Sequence, residues 1–184
     1  TTYLSIIDPT ITPTDTAICL GDSVTLAIDT ISGNSCIGLP SNLQDSLVAF
    51  YPFCGNAYDE TGNGNNGTIK GATLTTDRFG NGSAAYDFDG VNNYIEILNN
   101  SLLDLQDSMT ISAWIKTTDF TVPQYIINKS TGGTSDSWLL DLSANPVNTS
   151  EIRCIVAGST TSLPYSNPLI NQNNTWYHVV ATYD

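Results

Sequence analysis

Positive charge is the scarcest resource in this chain. Five Lys and Arg stand against 18 Asp and Glu in 184 residues, a net charge of -13. Nucleic acids are polyanions whose binding needs clustered cations, and five scattered ones cannot supply them. The same shortage excludes an anionic membrane surface. Charge of either sign is sparse: 12% of residues are charged, against about 25% in ordinary globular domains. Thr, Ser and Asn must therefore solvate the surface. No apolar run approaches the roughly 18–20 residues that a membrane helix needs. The four cysteines form no Cys-x-x-C, so zinc-ribbon and thioredoxin chemistry lack their ligand pairs. His178 is the single histidine, which excludes a multi-histidine zinc site. No initiating Met and no basic-then-apolar leader opens the chain. Residue 1 already sits in a strand-like pattern, so we read an internal piece of a longer chain.

What is present is β pattern, with 40% hydrophobic residues to build a core. Branched and aromatic runs predict strands at Tyr3–Ile7, Val24–Ile28, Leu47–Phe53, Ala84–Phe88, Tyr94–Ile97 and Met109–Ile115. Further runs at Tyr125–Ile127, Trp138–Leu142, Ile152–Ala157 and Trp176–Thr182 complete the series. Clusters of Gly, Asn, Pro, Ser and Asp between them supply turns. Many short strands without a long 3.6-residue period predict an all-β, antiparallel two-sheet sandwich or jelly roll. The best helical candidate, Leu102–Gln106, is about one turn long.

The first 30 residues differ from the rest. Thr1–Ile7 reads as one strand, Pro9 and Pro13 interrupt, and Ile18-Cys19-Leu20-Gly21-Asp22-Ser23-Val24-Thr25-Leu26 reads as a turn and an alternating strand. This stretch resembles the junction between tandem Ig-like repeats of secreted bacterial surface proteins. It is too short for a whole Ig sandwich of about seven strands. Residues 31–44, with Gly33, Gly38 and Pro40, read as a linker, and a second unit starts at Asp45.

The ordered motifs of that second unit are specific. Leu47-Val48-Ala49-Phe50-Tyr51-Pro52-Phe53 precedes Asp59-Glu60-Thr61-Gly62-Asn63-Gly64-Asn65-Asn66-Gly67. Then come Ala85-Tyr86-Asp87-Phe88-Asp89-Gly90, Ile111-Ser112-Ala113-Trp114-Ile115-Lys116 and Trp176-Tyr177-His178-Val179-Val180-Ala181-Thr182-Tyr183-Asp184. The run resembles the laminin-G-like, concanavalin A-like jelly-roll domain of secreted bacterial proteins. The resemblance implies that residues 45–184 form a jelly roll whose C-terminal strands lie beyond residue 184. It also implies a module that binds rather than catalyses. In a sandwich whose sheets lie about 10 Å apart, Trp114 and Trp176 would fill the core.

Each candidate for chemistry has a plain alternative. Gly62-Asn63-Gly64-Asn65-Asn66-Gly67 matches G-x-G-x-x-G, but a dinucleotide site needs a helix to follow, and Thr68-Ile69-Lys70 has β character. Calcium suits the same loop better. Asp59 offers a carboxylate and Asn63 and Asn66 offer amide oxygens, on glycines that let the backbone turn inward. The resemblance implies a structural calcium site near here; an Asn-Gly turn without an ion is the alternative. Asp87, Asp89 and Glu96 lie close in sequence, but no pair has the assignable spacing of a glycosidase acid and base. The E-x-D-x-x-E strand of jelly-roll glycosidases is absent. His178 alternates inside a strand, so a structural role is expected for it. Trp138 and Tyr165, on loop or strand edges, are the candidate rings for stacking on a sugar.

Cys19, Cys36, Cys54 and Cys154 leave the pairing open. Cys54 stands where the resembling family commonly has an asparagine, so a Cys36–Cys54 disulfide would staple the linker to the start of the jelly roll. Disulfides would fit an oxidising, secreted or cell-surface location. The expected function is a non-catalytic extracellular recognition or adhesion module for a glycan or surface protein. The alternative is an accessory module of a secreted polysaccharide-degrading or proteolytic enzyme whose catalytic domain lies elsewhere.

Overall fold

The structure, a computed structural model, describes residues 11–12, 27–28, 43–105, 108–119, 121–129, 138–145, 149–156 and 172–183. Two compact units divide the chain, Thr1–Leu98 and Asn99–Asp184. Both are all-β among the described residues, and every strand pair is antiparallel. The expected strand Tyr3–Ile7 and the boundary near residue 30 lie outside the described residues.

In the first unit, β1 (Ile11–Thr12) pairs with β2 (Ala27–Ile28). β3 (Gly67–Lys70) pairs with β6 (Tyr94–Ile97), and β4 (Thr73–Thr75) pairs with β5 (Ala85–Asp87). The inner pair is thus nested in the outer one. Gly67 permits a close backbone approach in this unit. A Cβ there would lie 2.6 Å from the Ile95 side chain and 2.9 Å from the Ala57 carbonyl oxygen. The missing side chain lets the Gly67 amide donate to the Ala57 carbonyl at 2.8 Å.

Leu47–Phe53, expected as a strand, forms none. Its hydrophobic pattern is real, but no neighbouring strand pairs with it among the described residues. Phe53 ends the segment with φ +57°, a left-handed conformation that a bulky side chain rarely adopts. Its ring is set edge-on to Tyr86 at 5.2 Å and beside Tyr51 at 6.1 Å.

The second unit is more regular. A single 3-10 turn, Ser101–Leu103, stands where the helical candidate was expected, and the Asn100 side chain accepts from the Leu102 amide at 3.0 Å. β7 (Met109–Lys116) pairs along its whole length with β11 (Trp176–Tyr183). β8 (Gln124–Lys129), β9 (Trp138–Asn145) and β10 (Thr149–Val156) form a sheet with β9 in the middle. A bulge between Tyr125 and Ile127 interrupts the β8–β9 register.

Alternation sorts the side chains of this unit, because successive residues of a strand face opposite ways. Met109 and Val179 from the ribbon join Trp138, Leu140, Leu142, Cys154 and Val156 from the sheet in one core. On the reverse face of the sheet lies Asp141, 1% exposed. Arg153, directly opposite on β10, meets its carboxylate with Nε at 3.1 Å and Nη2 at 2.5 Å. Two parallel charge-assisted bonds offset the desolvation of the buried acid.

One buried polar atom has no such partner. The Tyr86 hydroxyl is buried and makes no hydrogen bond among the described residues. An unpaired buried hydroxyl costs about 1–3 kcal/mol. Tyr86→Phe is therefore expected to raise the unfolding free energy by about 1 kcal/mol. Urea denaturation would record a higher midpoint at unchanged slope. A lower midpoint would show that the hydroxyl is satisfied.

Candidate functional site

The Asp59 loop, expected to ligate calcium, is organised by its own backbone. Asp59 Oδ1 accepts from the Phe50 amide at 3.1 Å, the Thr61 amide at 3.0 Å and the Thr61 hydroxyl at 2.7 Å. Its Oδ2 accepts from the Asn65 amide at 3.1 Å. Asn66 Oδ1 accepts from the Asp59 amide at 2.9 Å. Asn63 Nδ2 donates to the carbonyls of Leu47 and Val48, and Asn65 Nδ2 donates to Val48 as well. The Tyr51 hydroxyl donates to the Asn65 carbonyl at 2.6 Å.

These bonds explain why Leu47–Phe53 is ordered without a ladder: its backbone groups are met by side chains of the loop. They also set the charges. Burial alone would raise the Asp59 carboxyl, but hydrogen bonds from Thr61, Phe50 and Asn65 outweigh it and hold the pKa below the ordinary carboxylate value. Burial, and then the Asp59 charge, push the Tyr51 phenol up to about 12. Calcium wants six to eight free oxygens. Here Asp59 and Asn66 already accept from the chain, and Asn63 turns its amide nitrogen to two carbonyls. No group of three or more His, Cys, Asp and Glu stands together among the described residues. The loop's own hydrogen bonds thus already engage Asp59, Asn63 and Asn66, and it leads into β3 rather than a helix.

Of the other carboxylates singled out in the sequence, Asp89 and Glu96 are engaged, while Asp87 is exposed on β5. Asp89 Oδ1 accepts from the amides of Val91, Asn92 and Asn93 at 2.9, 3.2 and 3.3 Å, chiefly through Val91, and its pKa is lowered. Gly90, at φ +72°, lets the chain curl around it. Glu96 lies 3.6 Å from Lys70 across the β3–β6 pair. Cys154 is a free buried thiol, raised by burial and then by the charge of Asp141. Cys36 lies outside the described residues.

The tryptophans change places relative to expectation. Trp138, expected as a ring on a strand edge, is 6% exposed. It shares the inner face of β9 with Leu140 and Leu142, and its Nε1 donates to the Leu103 carbonyl at 3.0 Å. A ring so placed cannot stack on a sugar. Tyr165 lies outside the described residues. Trp114, expected in the core, is 38% exposed, and Trp176 is half-buried. The reason is the pleat. Ile111, Ala113 and Ile115 take the inner face of β7, which leaves Thr110, Ser112, Trp114 and Lys116 on the other.

That outer face is the candidate site. Trp114 lies opposite His178 in the ladder, and the two rings stack with centroids 5.0 Å apart and planes at 29°. Ser112 Oγ lies 2.8 Å from His178 Nε2. Lys116, opposite Trp176, holds its ammonium 5.1 Å from the indole centroid. Two indoles and an imidazole thus share one face with a hydroxyl and an ammonium. Flat apolar rings beside hydrogen-bonding groups suit a ligand that has both apolar and polar faces. The Ser–His contact is the first element of a nucleophile–base pair. Here it lies on an open sheet face, where the imidazole packs flat on an indole. Alternation alone places Ser112, Trp114 and Lys116 together; the match to His178 needed the β7–β11 register.

The described chain is thus an antiparallel β module carrying an aromatic face on a two-stranded ribbon. Residues 89–184, just over half of the chain, match the laminin-G family described as the concanavalin A-like lectin/glucanases superfamily. The chain belongs to that superfamily, whose folds serve carbohydrate or protein binding and in some members glucan cleavage. Neither the curated proteins nor the solved structures give a significant match to it.

The Asp59 bonds generate a test. Because the folded-state pKa is depressed, the stability this carboxylate contributes is present above the ordinary carboxylate range. It is lost as pH falls through the depressed value, in a window from about pH 4 downward. Asp59→Asn is expected to lower the melting temperature at pH 7 and to flatten the loss of stability between neutral pH and pH 3. Wild-type melting points are expected to be equal in millimolar calcium and in chelator. A rise with calcium would restore the metal at Asp59, Asn63 and Asn66.

Proposed function

We propose that this chain is a non-catalytic glycan-recognition module that uses the outer face of β7 and β11. The observation that carries the reading is the exposed Trp114, stacked on His178 beside Trp176, in a member of a lectin and glucanase superfamily. An indole offers a sugar ring a flat apolar partner, while Ser112 and Lys116 offer hydrogen bonds at its edge. Recognition rather than hydrolysis is supported by the outer face of β7 and β11, which carries no Asp or Glu to act as acid and base, and by the ties of several acids elsewhere. Asp59, Asp77 and Asp89 accept amide donors of their own turns, and Asp141 is paired with Arg153. A glycosidase needs a pair left free to act as acid and base.

We further propose that the module works outside the cell within a larger chain, as the resemblance to secreted surface proteins implies. Residues 45–184 would be the jelly roll, 31–44 the linker and 1–30 an Ig-like piece. Cys54 is not among the free thiols, while Cys154 is. This supports a Cys36–Cys54 staple, with Cys19 as the competing partner. Closing a loop of about 15–20 residues contributes roughly 3 kcal/mol if it is unstrained.

Two outcomes test these readings. On a glycan array the wild-type protein is expected to retain a subset of glycans, and Trp114→Ala to weaken them about tenfold, or about 1.4 kcal/mol, at unchanged denaturation midpoint. A variant that binds as well as wild type would remove the ribbon face from recognition. Peptide mapping without reductant is expected to recover Cys36 linked to Cys54; an alkylated Cys36 would refute the staple.

A further inference from the structure

The cations of this chain are nearly all matched. Lys70 faces Glu96, Lys129 contacts Asp104, and Arg153 is bound by Asp141. Arg78 lies over the Phe79 ring at 4.1 Å. Lys116 differs. Among the described residues it has no acidic partner, and its ammonium is held over Trp176. Its setting differs too. The eight side chains that β7 and β11 turn to the outer face include no Asp and no Glu, in a protein where 18 of 184 residues are acidic. A carboxylate at position 114, 176 or 178 would have lain within reach of Lys116 along or across the ladder. None is present, so the ammonium remains available beside two indoles.

We propose that this face takes a glycan that ends in a single uronic acid, with the sugar ring against Trp114 and Trp176 and its one carboxylate on the Lys116 ammonium. The inference rests on the glycan reading above and adds its charge. A neutral sugar would leave the ammonium without a counter-charge, and burying a cation unpaired is costly. A phosphate or sulfate group would meet the same ammonium, but the aromatic floor favours an anion carried on a ring. The carboxylate forms a charge-assisted hydrogen bond, stronger than a neutral one. The cation over Trp176 limits the directions in which the flexible Lys116 stem points, so less order is lost on binding. The excess of acid elsewhere on the protein discourages the same ligand from other faces.

The test compares ligands that differ at one carboxyl group, free or methylated. Neutral hexasaccharides capped by one galacturonate or one mannuronate, each as free acid and as methyl ester, are titrated into the protein by calorimetry. Wild type is expected to bind at least one free acid about tenfold more tightly than its ester. Lys116→Gln is expected to erase that preference, so that free acid and ester bind alike. Trp114→Ala, with Trp114→Phe as the variant that retains a ring, is expected to weaken acid and ester alike. Equal binding of acid and ester, or a preference that survives in Lys116→Gln, overturns this inference and leaves the glycan reading standing. Binding to neutral array glycans alone, lost in Trp114→Ala, has the same meaning. Absence of binding to both hexamer series and to the array overturns both. Unchanged denaturation midpoints for the variants separate loss of binding from loss of fold.

Discussion

The register between β7 and β11 is the constraint on which the rest of the second unit depends. It pairs His178 with Trp114 and Trp176 with Lys116, and in the same stroke sends Val179, Ala113, Ile111 and Ala181 to the core. A strand has two faces and a period of two, so one choice fixes both. Burying the small and branched residues leaves the indole outside. An aromatic face on this ribbon is therefore a consequence of how its apolar residues pack.

The first unit solves a different problem. Its segment Leu47–Phe53 has apolar side chains to bury but no strand beside it among the described residues. Backbone groups away from water must still find partners. Asp59, Asn63 and Asn65 supply them, each reaching back 9 to 17 residues along the chain. Here polar side chains take the place of a β ladder. This accounts for a loop rich in Asn, Gly and Thr without appeal to a ligand.

Much of the fold was legible in the sequence. Tyr94–Ile97 forms β6 with the limits expected, and the runs at Met109, Trp138 and Trp176 each open a strand at that residue. Their branched and aromatic residues are continuous and bounded by turns. Leu47–Phe53 was misread because a hydrophobic run reports what must be buried, not what will pair with it. The β character of Thr68–Lys70 is visible in the sequence, whereas Thr73–Thr75 is not, because Thr beside a lone Leu carries little apolar signal. The site was less legible than the fold. Trp114 and Trp138 were both assigned from the general habit of tryptophan. The face each occupies depends on neighbours: Ile111, Ala113 and Ile115 claim the core side of β7, while Leu140 and Leu142 carry Trp138 inward with them. The Ser112–His178 contact joins residues far apart in the chain, and no local pattern announces it.

The pair formed by Asp141 and Arg153 has a consequence for how this protein can vary. The acid is sealed against water and its only described ionic partner is the guanidinium across the strand. Changing the arginine alone would strand a buried negative charge, whereas exchanging both for apolar side chains of similar size would cost little. The two positions are thus coupled in inheritance. A lineage that loses the arginine first must cross a poorly folded intermediate, whereas one that replaces the acid first leaves a guanidinium that still reaches water.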